Sequence, residues 1–198
     1  MTVQYLFIPD HTQEPRICIE DTKSAMRWLR EHAKTLRIDP DRIAIGGASA
    51  GGYNAAYATM APGWDSPGDD MPVSPQGNAM VLWNPVIDVS ESGYSHKNVG
   101  DDAVKRSPMT YLNAKTPPML IQSGTDDGLI HADVLRAFAA KAKSLGVRCD
   151  VLTYEGQRHG FFNKEPFLSR MNDAIVKVFS SLGYIRPDPF ASNSEMLR

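Results

Sequence analysis

A serine stands among small residues in Gly47-Ala48-Ser49-Ala50-Gly51. Ahead of it runs a short apolar segment, Ile43-Ala44-Ile45, that stops at Gly46-Gly47, and behind it runs AGGYNAAYATM, rich in alanine and other small residues. This pattern predicts a buried strand, a tight turn and a helix packed closely on a sheet. A serine on such a turn is forced into a strained backbone conformation that only small neighbours such as Gly47 and Gly51 permit, and its hydroxyl projects from the carboxyl edge of the sheet. The start of the following helix points its dipole at the same place, where the Ala50 N–H can donate to an oxyanion. The chemistry this allows is nucleophilic attack. Taken alone, the string fits a plain N-cap role for Ser49 as well. A phosphate-binding loop fails on its residues, since no Lys-Ser/Thr follows and Gly46, Gly47, Gly51 and Gly52 do not make G-x-G-x-x-G.

A free hydroxyl is a poor nucleophile at neutral pH, so Ser49 needs a base and a group that orients the base. Gly124-Thr125-Asp126-Asp127 follows an apolar run ending near Gln122, and His159, in Gln157-Arg158-His159-Gly160-Phe161, follows a strand-like run ending at Tyr154. Both therefore emerge at the sheet edge that carries Ser49. A turn aspartate and a surface histidine are the bland alternatives, but the order Ser, Asp, His is the one expected of an α/β-hydrolase. Asp88, after Asn84-Pro85-Val86-Ile87, is a second position for the acid and is read as structural. His131, beside the acid loop, is read as a surface residue. Trp64, Trp83 and Tyr94 are aromatic candidates for a substrate pocket, although packing explains each equally well.

The elements that must position these side chains follow from periodicity. Residues 20–36 form an amphipathic helix with Ala25, Leu29, Ala33 and Leu36 on one face and Lys23, Arg27, Arg30, Glu31 and Lys34 mostly on the others. Residues 79–83 and 119–122 read as central strands. Residues 132–145 form a helix with Val134, Phe138 and Leu145 on one side and Gly146 as its C-terminal cap. A strand over 147–154 and a closing helix over 171–182 follow, the latter with Ile175, Val178, Phe179 and Leu182 inward and Gly183 capping it. Strands alternating with helices predict an α/β fold, a mostly parallel sheet with helices on both faces. Residues 1–183 read as one domain and 184–198 as a tail, with long connections at 61–78 and 88–116.

Composition narrows the partners. Of 198 residues, 42% are hydrophobic and 22% charged, and 21 Lys and Arg against 23 Asp and Glu leave a formal net charge of −2. A nucleic-acid partner is not expected without a basic stripe. No apolar run reaches the length of a membrane span, and no signal peptide precedes the first strand, so the chain as written is expected to stay in the cytoplasm. Cys18 and Cys149 are read as two free buried thiols.

The runs CIEDTKSAMRWLREHA, IDPDRIAIGGASAGG and NPVID, with SGTDDGLI and YEGQRHGFF in the second half, resemble the esterase and lipase branch of the α/β-hydrolase superfamily over most of residues 3–182. The resemblance is closest to hormone-sensitive-lipase-like and acetyl-xylan or feruloyl esterase-like members. It implies Ser49 as nucleophile, His159 as base and Asp127 as the orienting acid, because the family pattern G-T-x-D places the acid second and leaves Asp126 aside. It implies a small-molecule ester substrate of short acyl chain, acetyl esters of carbohydrates among them, and neither metal nor organic cofactor. A prolyl-oligopeptidase-like peptidase and a non-catalytic α/β-hydrolase remnant are the alternatives. Family members also carry a His-Gly loop that supplies half of the oxyanion hole, whereas this chain has no glycine before Gly46. The sequence is therefore expected to start after that loop, in an N-terminally shortened sheet of about five strands in which Val3-Gln4-Tyr5 ends the first. One missing donor costs about a hundredfold to a thousandfold in turnover. An exposed sheet edge is expected to lower stability and promote homo-oligomers.

Overall fold

The computed structural model describes residues 16–90, 93–94 and 102–185. Its elements are α1 (Arg16–Glu31), α2 (Ala33–Leu36), β1 (Ala44–Ala48), α3 (Ala50–Met60), β2 (Ala79–Trp83), α4 (Ala103–Arg106), β3 (Met119–Gly124), α5 (Ala132–Ser144), β4 (Cys149–Tyr154) and α6 (Phe167–Ser181). The chain divides into two compact units, Met1–Phe161 and Phe162–Arg198. The expected strand at Val3-Gln4-Tyr5 lies outside the described residues.

In the first unit the four described strands are all parallel and lie in sequential order, β1-β2-β3-β4. The register sets Ala48 opposite Trp83, Trp83 opposite Gln122, and Gly124 opposite Tyr154, so the carboxyl ends of the strands share one edge. Apolar residues run continuously through β2 and β3 because both faces of these strands are covered. Met80, Leu82, Met119 and Ile121 face a core shared with Ile19 of α1, Tyr53 and Tyr57 of α3, and Leu135 and Phe138 of α5. Val81 and Leu120, which alternate with them, are buried too. β1 departs from the expected buried strand, since Ala44 and Gly46 are exposed. Among the described residues it is an outer strand, paired on one side only.

α1 begins four residues before its expected start and stops at Glu31, ahead of the single turn of α2. Its buried stripe is Ile19, Lys23, Met26 and Arg27, and Leu36 is exposed. The two cations therefore lie inside rather than on the outer faces. Lys23 Nζ donates to the carbonyls of Ala61, at 3.2 Å, and Gly63, while Arg27 donates to Val73 O at 2.9 Å and pairs with Asp65 at 2.6 Å and Asp69 at 2.5 Å. Arg30 adds bonds to Ser74 O at 2.6 Å and Asn78 Oδ1 at 2.9 Å. These contacts tie the 61–78 connection to α1 and supply the partners that buried charge requires. In α5 the inward side chains are Leu135, Phe138 and Ala142, with Leu145 exposed.

Gly146 and Gly183 have φ of +76° and +73°, the left-handed conformation of a C-terminal cap. In the second unit α6 starts at Phe167, ahead of the expected residue 171, with Met171 and Phe179 buried and Phe179 edge-on to Tyr184 at 5.4 Å. Ile175, Val178 and Leu182 are half-buried. Among the described residues no helix is long and apolar enough to cross a membrane.

Candidate active site

Ser49 lies between the last residue of β1 and the first of α3, at φ +53° and ψ −117°. Its N–H donates to Trp83 O at 2.9 Å, and its carbonyl accepts from Tyr53 N–H at 3.0 Å and Val86 N–H at 3.4 Å. The turn is thus pinned between the end of β2 and the first turn of α3. Its tightness explains the glycines: a Cβ on Gly47 would stand 2.3 Å from the Gly51 carbonyl, and one on Gly52 would stand 2.9 Å from the Pro85 side chain. The Ser49 hydroxyl makes no capping bond to α3, so the N-cap reading fails. Ala50 is the first helical residue, a position whose N–H has no intrahelical acceptor.

Asp127 follows β3 and is 3% exposed. Its Oδ1 accepts from the backbone N–H groups of Leu129 at 2.9 Å and Ile130 at 3.0 Å, and its Oδ2 lies 2.7 Å from His159 Nδ1. Burial alone pushes this carboxyl up. The bonds from Ile130 N–H, the His159 ring and Leu129 N–H outweigh burial, so it is held below the ordinary carboxylate value. An ionised carboxylate only accepts, so His159 Nδ1–H donates to it and Nε2 is left as an acceptor for the Ser49 hydroxyl, 3.0 Å away. The histidine is brought there by a close backbone crossing. A Cβ on Gly124 would stand 2.0 Å from Gln157 O, and that carbonyl accepts from Asp126 N–H at 3.0 Å. Thr125 Oγ1 accepts from Gly156 N–H at 2.8 Å on the same crossing.

The other candidates separate from this chain of bonds. The Asp126 side chain is exposed and meets only Thr125 Oγ1, at 3.3 Å, among the bonds described. Asp88 accepts from Ser90 N–H at 2.8 Å and Ser107 Oγ at 3.2 Å, a structural role. His131 is exposed at the start of α5 and, with Val86, Ile87, Tyr94 and Ile130, lines a depression of about 20 Å³, room for one water molecule. Trp64 stacks on Tyr57 at 4.5 Å, against the core, and Trp83 is half-buried beside Gly46. Asn84 is a site residue that the sequence reading misses. It is fully buried, has φ +45°, and its Nδ2 donates to Asp127 Oδ2. Its one signal in the sequence is an asparagine, tolerant of left-handed backbone, directly after a strand. Among the described residues no group of three or more His, Cys, Asp and Glu is placed to hold a metal ion.

A hydroxyl bonded to a neutral imidazole, with a carboxylate behind it, can lose its proton to the ring while the carboxylate stabilises the imidazolium.

Known proteins share this architecture. The BD-FAE family matches residues 2–90. The chain is 27% identical over 188 residues to a probable isoprenylcysteine alpha-carbonyl methylesterase of Arabidopsis thaliana, covering 81% of this chain and 40% of that protein. It is 28% identical over 163 residues to an acetylxylan esterase of Xylanibacter ruminicola, covering 73% of this chain and 31% of that protein. The chain thus spans less than half the length of either relative. Among solved structures, the apo form of esterase 2 from Thermogutta terrifontis matches with a TM-score of 0.86 at 33% identity, over 93% of this chain and 72% of that one. The same esterase has been solved with propionate bound and phosphorylated by paraoxon.

Proposed function

Because this chain belongs to the esterase and lipase family of α/β-hydrolases, we propose that it hydrolyses carboxylic esters of short acyl chain, with Ser49 as nucleophile, His159 as general base and acid, and Asp127 as the orienting carboxylate. The observation that carries this reading is the Ser49 hydroxyl, free of any capping bond and 3.0 Å from His159 Nε2, with Nδ1 of the same ring 2.7 Å from buried Asp127. Ser49 Oγ attacks the ester carbonyl carbon as its proton passes to Nε2, and the Ala50 N–H donates to the resulting oxyanion. Collapse breaks the bond to the alcohol, which leaves with the proton from Nε2. Water then attacks the acyl-enzyme, giving one proton to His159. Release of the carboxylic acid returns that proton to Ser49.

Short acyl groups are favoured by the propionate bound to the Thermogutta esterase and by the acetylxylan esterase among the relatives. The paraoxon adduct of the Thermogutta esterase supports a phosphorylatable nucleophile in the family. The test is 4-nitrophenyl acetate hydrolysis by the chain and its Ser49→Ala variant, with mass spectrometry after paraoxon. Turnover lost in Ser49→Ala, and one phosphoryl group on Ser49 of the parent alone, is the expected outcome. Equal rates in parent and variant, with no adduct on Ser49, would overturn the assignment.

A further inference from the structure

We propose that Asn84 is a positioning residue of this site, its side-chain amide fixing the Asp127 carboxylate in the orientation that His159 needs. The inference rests on the reading of Ser49, His159 and Asp127 given above. Asn84 follows the last residue of β2, and its N–H donates to Gln122 O of β3 at 2.9 Å, which sets its side chain beside the acid loop. The amide Nδ2 donates to Asp127 Oδ2 and lies 3.3 Å from Ser123 Oγ. Asp127 then has donors on every side: Leu129 and Ile130 N–H on Oδ1, His159 and Asn84 on Oδ2. Two donors per oxygen fill a carboxylate's lone pairs, so it cannot rotate without giving one up.

Two unfavourable features of Asn84 point the same way. Its φ of +45° is a conformation that costs an L side chain energy. Its Oδ1 is buried and accepts from no described residue, which also costs. Turning the amide over would not cure this, because Oδ1 would then face Asp127 Oδ2, acceptor against acceptor. A residue needed only to end β2 would not require an amide nitrogen here. These costs fit a residue kept for the bond it donates. Asp127's ionisable neighbour is His159, while Asp126 and Asp88 are bonded elsewhere.

The decisive variant is Asn84→Gly, which keeps the positive φ without strain and removes the side chain that carries the amide. With active sites counted by paraoxon labelling, kcat per site is expected to fall about tenfold or more as the Asp127–His159 pair loses its alignment, with KM within about twofold. The acid limb of the kcat/KM profile should move to higher pH, because a carboxylate with one donor fewer attracts a positive charge beside it more strongly. The His159 Nδ1–H proton, read by NMR without substrate, should change its resonance. Asn84→Asp, equal in shape, sets a like charge beside Asp127 and should change the same resonance should Asn84→Gly fail to fold. Unchanged resonance and pH profile, with kcat per labelled site within about twofold of the parent, would overturn the proposal even if the melting temperature dropped. If instead the parent takes no paraoxon and Ser49→Ala matches its rate, the assignment of Ser49 has failed, and the proton resonance still decides whether Asn84 acts on the Asp127–His159 pair.

Discussion

Ser49 sits at φ +53° and ψ −117°, a region open to glycine and costing other residues about 1–3 kcal/mol. Ser49→Gly should therefore raise the unfolding free energy in urea by about 1 kcal/mol while ester hydrolysis falls to background; a less stable variant would show that the backbone is not strained. Asp127 carries a pH signature. Its folded carboxyl titrates below its ordinary value, so its contribution to stability is complete above that value and is lost as the pH falls through the folded one. Melting curves of parent and Asp127→Asn should differ at pH 7 and draw together as the pH falls below the ordinary carboxylate range, whereas a gap that does not narrow would contradict the shift. The same variant is expected to lose about a thousandfold or more in kcat, because an amide there leaves the imidazole in the wrong tautomer. Ser49, Asp127 and His159 are legible in the sequence because each follows a strand and carries a reactive type. Asn84 is not, since Asn-Pro after a strand reads as a stop and the backbone sign that marks it is invisible in composition.

The elements hold these residues through close backbone crossings as much as through side chains. Gly124→Ala would put a Cβ 2.0 Å from Gln157 O and displace the segment that carries His159. Since misplacing a catalytic group by about 1 Å costs about a hundredfold, kcat should fall by at least that factor with the far-UV spectrum retained, and a variant of parental kcat would show that the crossing has slack. Arg27 does the equivalent work for α1. Arg27→Ala takes one partner each from Asp65, which keeps Lys23 at 3.6 Å, and Asp69, which keeps Ser24 Oγ at 2.6 Å, and should destabilise the fold by about 1–3 kcal/mol in urea unfolding. α3 and β2 run over the residues that the sequence marks for them, because small residues and an apolar run are unambiguous signals. Periodicity misassigns the faces of α1, because it sends every Lys and Arg to solvent and has no knowledge of the carbonyls and carboxylates that the 61–78 connection brings to Lys23 and Arg27.

Over the whole molecule the two thiols differ: Cys18 is buried, whereas Cys149, expected to be buried as well, is half-buried. Burial raises Cys18 above its ordinary value and pushes Cys149 up to about 12. Ellman's reagent at pH 8 should react with buried Cys18 only after denaturation and with half-buried Cys149 more slowly than with a free thiol, and rapid labelling of Cys18 in the native chain would mean that α1 opens. The α/β class is legible because the alternation of apolar runs with helical stretches repeats along the whole chain, whereas the exposure of β1 depends on what pairs beside it, which no local pattern records. The bond between His159 and Ser49 joins residues 110 apart in the chain, with three strand pairings between their positions in the sheet. Contacts of such long range are slow to form. On the proposed function, ester hydrolysis after dilution from urea should therefore return later than the helical signal, since the Ser49–His159 bond can form only when the register of every strand from β1 to β4 has been set.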